Sequence, residues 1–258
     1  MLIKITDKCS MGCSHCLNDC NSNGKHMSFE TLEKVIRFNF DRAGNSPILI
    51  SGGEPTEHPD FKNFIGYILT YKTFEDVLKP KKFPPITVTT NGLWLTKNMD
   101  FIKTLEKAPD VSDDIMFQVV IDDRYYPTHV DENILSSSEL ITVCHNVPSI
   151  YPQGRALQNN IPWNRKSSNC FNVRAIAKQL NNPTFNDIIV MQNLRGHLCT
   201  PHIDIDGNIK LGESKLCPVC SNICKLDKEI IDDIINFQCH QCDFINETLP
   251  PLYRKFVE

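Results

Sequence analysis

The run Lys8-Cys9-Ser10-Met11-Gly12-Cys13-Ser14-His15-Cys16-Leu17, directly after the apolar segment Leu2-Ile3-Lys4-Ile5-Thr6, decides how this chain is read. Three thiols spaced C-x3-C-x2-C fit no helix face, but they suit a loop folded around one corner of an iron–sulfur cluster. A cubane with three protein ligands keeps one iron open, and an open coordination position is where a catalytic metal site takes substrate or cofactor. Cys20 supports a rival reading, because C-x3-C-x2-C-x3-C would make a closed zinc knuckle.

A second segment adds context. Ile48-Leu49-Ile50-Ser51 reads as a short buried strand that runs straight into Gly52-Gly53-Glu54-Pro55. Adjacent glycines at a strand end let backbone approach a ligand closely, and a carboxylate beside them accepts hydrogen bonds from an ammonium. The cysteine run and this segment together resemble the radical SAM superfamily. The resemblance implies that Cys9, Cys13 and Cys16 ligate a [4Fe–4S] cluster and that the open iron is chelated by S-adenosyl-L-methionine. Gly52, Gly53, Glu54 and Pro55 would then hold the cofactor's amino group, with His15 near its adenine. An electron from the cluster would cleave the sulfonium to a 5'-deoxyadenosyl radical. Such an enzyme is expected to be oxygen-sensitive and to take its electron from a donor such as flavodoxin or ferredoxin.

The rest of the N-terminal two thirds alternates strand and helix. Strands are predicted at 2–6, 48–51, 86–90, 115–121, 139–145 and 188–192. Between them, Ser28 caps a helix to Arg42 with Phe29, Leu32, Val35 and Ile36 inward, a second helix runs 61–71, and a third runs 95–107. Strands separated by helices mean βαβ units and a parallel sheet. The expected fold is therefore α/β, a partial (β/α)6 barrel over residues 1–195 with a small Cys-rich extension over 196–258. Chemistry in parallel α/β folds sits at the C-terminal strand ends, and the cysteine loop, Gly52 to Pro55, Asn91 with Gly92, and Asp122 all fall there. Asn91 and Asp122 are thus candidate cofactor contacts, each equally compatible with a plain turn or strand end. Gly154-Arg155-Ala156 resembles a segment of family members with extra clusters, which makes Arg155 a further candidate through bidentate binding of a carboxylate.

Composition narrows the function classes. The chain has 258 residues, 41% of them hydrophobic, enough for one catalytic core plus an appendage. The formal charge is −4, from 27 basic and 31 acidic residues, which gives no global electrostatic case for nucleic acid. No apolar stretch approaches membrane-spanning length and no signal peptide is seen, so a cytoplasmic protein without membrane association is expected. There, the twelve cysteines argue for metal ligation and against disulfides. Cys20, Cys144 and Cys170 belong to no motif other than the Cys20 alternative, and each is a candidate hydrogen-atom donor or an inert buried thiol.

Six more cysteines follow: Cys199, Cys217, Cys220, Cys224, Cys239 and Cys242. Residues 202–210 alternate around Asp206-Gly207-Asn208 and spell a hairpin with a tight turn. A cysteine, a Gly-centred hairpin and a cysteine cluster resemble the SPASM and twitch extensions, which bind auxiliary [4Fe–4S] clusters in enzymes that commonly modify peptides or proteins. The spacing departs from the full form, which carries C-x2-C-x5-C-x3-C, and one auxiliary cluster held by a subset of these cysteines is the expectation. The rival is zinc, since Cys217-x2-Cys220 and Cys239-x2-Cys242 have zinc-ribbon spacing. Three functions follow. The first is a peptide- or protein-modifying radical enzyme, with any leader-binding protein a separate chain. The second is a radical enzyme acting on a nucleotide-type small molecule or activating a glycyl-radical partner. The third is a zinc-ribbon binding module on a degenerate barrel.

Overall fold

A computed structural model of the chain describes residues 1–42, 47–78, 85–108, 111–146, 150, 153–162, 183–184, 187, 202–212, 215 and 217–237. Two compact units divide it: Met1–Cys13 with Cys20–Pro148 and Ile203–Gly207, and Ser14–Asp19 with Ser149–His202 and Asn208–Glu258.

The first unit is built on five parallel strands, β1 (Leu2–Lys4), β2 (Leu49–Ser51), β3 (Ile86–Thr90), β4 (Ile115–Ile121) and β5 (Ile141–His145). They lie side by side in chain order, without the reversal of a doubly wound sheet. Consecutive parallel neighbours joined by right-handed crossovers put every connecting helix on one face, the wrapping of a barrel sector. Ile3, Ile50, Val88, Phe117 and Val119 are fully buried, whereas Ser51, Thr87, Thr89 and Gln118, at alternate positions, stay half-buried. The sheet therefore has one apolar, covered face and one more accessible face that mixes these polar residues with Leu49, Met116 and Val120.

Three helices connect these strands: α1 (Phe29–Asp41), α2 (Phe61–Leu78) and α3 (Met99–Glu106). Ser28 caps α1 as expected, its hydroxyl accepting the Thr31 N–H at 3.1 Å. Leu32, Val35 and Ile36 are buried, but Phe29 is 42% exposed, a correction to the inward assignment. It lies at the first helical position, where its ring packs edge-on against Phe64 and Tyr67 of α2. Helix α2 runs seven residues beyond the expected 71, because Lys72 and Glu75 continue its buried face. The third helical stretch is broken: a 3-10 turn spans Leu95–Lys97, and Asn98, with φ −129°, interrupts the helix while its Nδ2 donates to the Trp94 carbonyl. Strand β1 ends at Lys4, and Thr6 makes only an isolated bridge to His26. Strand β5 begins two residues later than read from sequence. The sixth strand, at 188–192, lies outside the described residues. A fourth, shorter helix, α4 (Glu132–Leu135), lies between β4 and β5.

Lys72 is 1% exposed and its ammonium meets Asp114 at 2.6 Å. Asp114 closes the 3-10 turn before β4, so this ion pair ties α2 to the sheet. Withdrawing one partner from a buried pair is far more damaging than replacing both. Asp114→Asn should cost ~3 kcal/mol, read as a lower urea midpoint at unchanged m-value.

The described part of the second unit holds α5 (Gly154–Gln158), a hairpin of β7 (Asn208–Lys210) with β8 (Val219–Asn222), and α6 (Asp227–Asn236). Upstream of β7 lie β6 (His202–Ile203) and the expected tight turn, where the Gly207 N–H donates to the Asp204 carbonyl with Gly207 at φ +77°. Among the described residues, no helix is long and apolar enough to cross a membrane.

Candidate active site

The two glycines allow a close backbone approach that the sequence did not show. A Cβ on Gly53 would stand 2.3 Å from the Lys8 carbonyl oxygen, and one on Gly52 would stand 2.3 Å from that of Thr6. What approaches so closely is the chain's own backbone at the root of the cysteine loop. The Gly53 N–H donates to the Thr6 carbonyl and the Glu54 N–H to the Lys8 carbonyl, both at 2.7 Å. The parallel ladder thereby continues past the end of β2, and Glu54 is delivered beside the entry to the cysteine run.

Glu54 is 3% exposed. Its Oε1 accepts the Thr56 hydroxyl at 2.6 Å, the Thr90 hydroxyl at 2.7 Å and the Thr56 N–H at 3.2 Å. Its Oε2 accepts the Asn91 N–H at 2.7 Å, leaving that oxygen with a further acceptor position. Thr90 itself is fixed, because its Oγ1 takes the Gly92 N–H at 3.1 Å. Burial pushes the Glu54 carboxyl above its ordinary value of 4.5, while the hydrogen bonds from Thr56, Asn91 and Thr90 oppose the shift. A buried carboxylate fixed by these donors is suited, in its ionised form, to a cation.

The other candidates divide by unit. In the first, Asn91 gives its backbone N–H to Glu54 and its side-chain Oδ1 accepts from Leu93 N–H at 3.0 Å. Asp122 is buried at the end of β4, and its carboxylate takes the Arg124 guanidinium at 2.9 and 2.7 Å together with the Arg124 N–H. That carboxylate shapes the turn after β4. Pro55 is buried at the start of a 3-10 turn over Pro55–Glu57. Tyr126 was not singled out from sequence. Burial raises its phenol's pKa, with the charges of Cys13, Glu54, Asp122 and Cys9 adding to the rise. It sits one helical turn past Asp122, bonded through its N–H to the Asp122 carbonyl, and the signal that could have found it is its place just beyond a strand's C-terminal end.

In the second unit the Arg155 N–H donates to the Cys16 carbonyl at 2.9 Å, and its guanidinium meets Asp19 at 3.1 Å. Arg155 thus braces the far limb of the cysteine loop. His15 is half-buried on that limb. Cys9, Cys13 and Cys16 are half-buried, soft sulfur donors of the kind iron–sulfur clusters require. A Cβ on Gly12, between the first two, would meet nothing within 4 Å, so the loop there has open space. Among the described residues no three His, Cys, Asp or Glu side chains are gathered into a metal-holding group, and the fit rests on donor chemistry and this space. Cys20 is buried, and Cys144 is half-buried on β5, where its sulfur accepts from Gln118 Nε2 at 3.6 Å.

Further along the second unit, Cys217 and Cys220 are half-buried and Cys224 is exposed, its N–H bonded to Asn222 Oδ1 at 2.9 Å. Burial pushes the Cys220 thiol up to about 12, with the Asp233 charge adding and Lys225 opposing. Asp233 on α6 accepts from the Ser221 hydroxyl at 2.6 Å and from Lys225 Nζ at 2.7 Å, which fastens α6 to β8. Cys170, Cys199, Cys239 and Cys242 lie outside the described residues.

The family model described as Radical SAM superfamily matches residues 3–126. A GTP 3',8-cyclase of Photorhabdus laumondii is 31% identical over 99 residues, 38% of this chain and 28% of that protein. A probable GTP 3',8-cyclase of Methanosarcina mazei is 32% identical over 112 residues, 41% of this chain and 29% of that protein. The match spans less than a third of these relatives' length. Among solved structures, that of BtrN in complex with AdoMet and 2-DOIA has a similar fold, with a TM-score of 0.54 at 12% identity, covering 96% of this chain and 88% of that one.

Proposed function

From the match of residues 3–126 to the Radical SAM superfamily model, we propose that this chain is an enzyme that cleaves S-adenosylmethionine reductively at a [4Fe–4S] cluster on Cys9, Cys13 and Cys16, and that its substrate is a peptide or protein. When bound, the cluster supplies an electron to the sulfonium, the source of the 5'-deoxyadenosyl radical that removes a hydrogen atom from an unreactive carbon. The observation that carries the reading is the Glu54 carboxylate, buried, fixed by Thr56, Thr90 and Asn91, and tied through its own backbone to Lys8 next to the first cysteine. Its open acceptor position on Oε2 suits the cofactor's ammonium. The Glu54 charge is felt at Tyr126, whose phenol it helps to keep protonated. Arg155 holds the loop limb that bears Cys16. The AdoMet in the BtrN structure supports the same cofactor.

The peptide or protein substrate rests on the likeness of the cysteines from Cys199 onward to SPASM and twitch extensions, with an auxiliary [4Fe–4S] cluster there. A second reading, a nucleotide-type substrate, is favoured by the GTP 3',8-cyclases that match the N-terminal region. Metal content tests the two-centre reading. Anaerobically reconstituted protein should hold about eight irons, and the triple change of Cys9, Cys13 and Cys16 to Ala should leave about four. About four irons with one equivalent of zinc would place a zinc ribbon in the extension instead.

A further inference from the structure

The segment that follows Glu54 reaches back to the cysteine loop at two separate points. Ser10, the residue after Cys9, donates both its N–H, at 2.8 Å, and its hydroxyl, at 2.7 Å, to Oε1 of Glu57. At the other end of the loop, His58 accepts the Asp60 N–H on Nδ1 at 3.0 Å, which leaves the proton on Nε2, and Nε2 donates to the Met27 carbonyl at 2.9 Å. Met27 is itself bound to the first strand's extension, its N–H donating to the Ile5 carbonyl. The chain between is drawn together by Asp7 N–H to Lys25 and Cys9 N–H to Asn21. His26 completes the neck, with Nδ1 2.8 Å from the Thr6 hydroxyl and its ring edge-on to His58 at 5.0 Å.

We propose that Glu57 and His58 form a clasp that orders the root of the cysteine loop ahead of cluster binding, with Glu57 the positioning residue for Cys9. The inference rests on the cluster reading above. The role follows from where the bonds fall. A loop carrying three thiols must be ordered before or as its cluster arrives, and any order already present lowers the entropy that binding must overcome. Strand pairing fixes the loop's neck but reaches no farther than Cys9. Ser10 is held by a group from outside the loop, and two charge-assisted bonds to one carboxylate oxygen fix both its backbone and its side chain. Glu57 touches no thiol in this arrangement; it acts through Ser10. The 3-10 turn of Pro55–Glu57 sets the spacing, so that one short segment presents Glu54 to the cofactor, Glu57 to Ser10 and His58 to Met27.

The test is iron retention in Glu57→Ala and Glu57→Gln. Partners that orient a metal ligand typically contribute tenfold to a hundredfold in affinity. Reconstituted Glu57→Ala should therefore lose iron to a chelator roughly tenfold faster than wild type. Glu57→Gln keeps an oxygen acceptor for Ser10 and should stay within about threefold of wild type. Thermal melting of the metal-free proteins should be unchanged in both, because the Ser10–Glu57 contact is exposed and closes no core. Iron loss from Glu57→Ala at the wild-type rate would overturn the clasp, as would a fall in metal-free melting that accounts for the faster loss. Equal damage from Gln and Ala would overturn positioning by hydrogen bonding. Wild-type protein that takes up no iron at all would overturn the cluster reading and the clasp with it.

Discussion

Cys13→Ala should abolish formation of 5'-deoxyadenosine by the dithionite-reduced protein, whereas Cys224→Ala should largely spare it. Cys13 lies in the middle of the C-x3-C-x2-C run, and a cluster with only two of its three protein thiolates has lost a ligand that nothing nearby replaces. Cys20, the other thiol on the same stretch, is buried. Cys224 is exposed on a turn after β8, far along the sequence from the cysteine run, and under the proposed function it would serve a separate centre. The measurement is chromatographic quantitation of 5'-deoxyadenosine under anaerobic conditions, with wild type forming it slowly even without substrate. Equal loss in the two variants would mean that the C-terminal cysteines support the fold or electron delivery to the first centre.

Glu54→Gln should weaken S-adenosylmethionine binding by roughly tenfold to a hundredfold while the cluster's absorption persists, because a hydrogen bond to a charged group contributes ~1.5–3 kcal/mol. The fixed surroundings of Glu54 sharpen this expectation. The carboxylate takes donors on both oxygens, three on Oε1 and the Asn91 N–H on Oε2. An amide must turn its NH2 toward one of these sets, so it opposes donor to donor whichever way it lies. Isothermal titration of the oxidised holo-protein measures the loss. A pH dependence should accompany it. Burial raises the folded carboxyl's pKa above its ordinary 4.5, and only the ionised form accepts an ammonium, so affinity should be full at higher pH and fall as pH drops through that raised value. Glu54→Gln should flatten this profile. Unchanged affinity in the variant would remove Glu54 from the site.

The N-terminal elements were legible because each announced itself locally. The alternating Ile86 to Thr90 and Ile115 to Ile121 came out as β3 and β4 with the bounds read from sequence. Ser28 could be read as a cap because capping is a contact with Thr31, three residues away. Errors arose where a specific polar contact, not apolar periodicity, decided. Helix α2 outran its expected end because Lys72 finds Asp114, 42 residues on. The helix at 95–107 broke at Asn98 because a side chain competed for the Trp94 carbonyl, a choice that apolar periodicity does not register.

By itself the sequence determined the chemistry on offer: three thiols at cluster spacing, a strand ending in Gly52-Gly53-Glu54, and parallel units that bring strand ends to one edge of the sheet. These follow from spacing and from side-chain type, which are local properties. Only the tertiary structure decided what each residue is bound to. It set the two glycines against the backbone of Thr6 and Lys8, paired Asp122 with Arg124, brought Tyr126 within the field of Glu54, and joined Glu57 to Ser10 across 47 residues. A hydrogen bond or an ion pair has a range of a few ångströms, so its partner is set by where the backbone brings two distant segments, and no spacing rule within one segment carries that information.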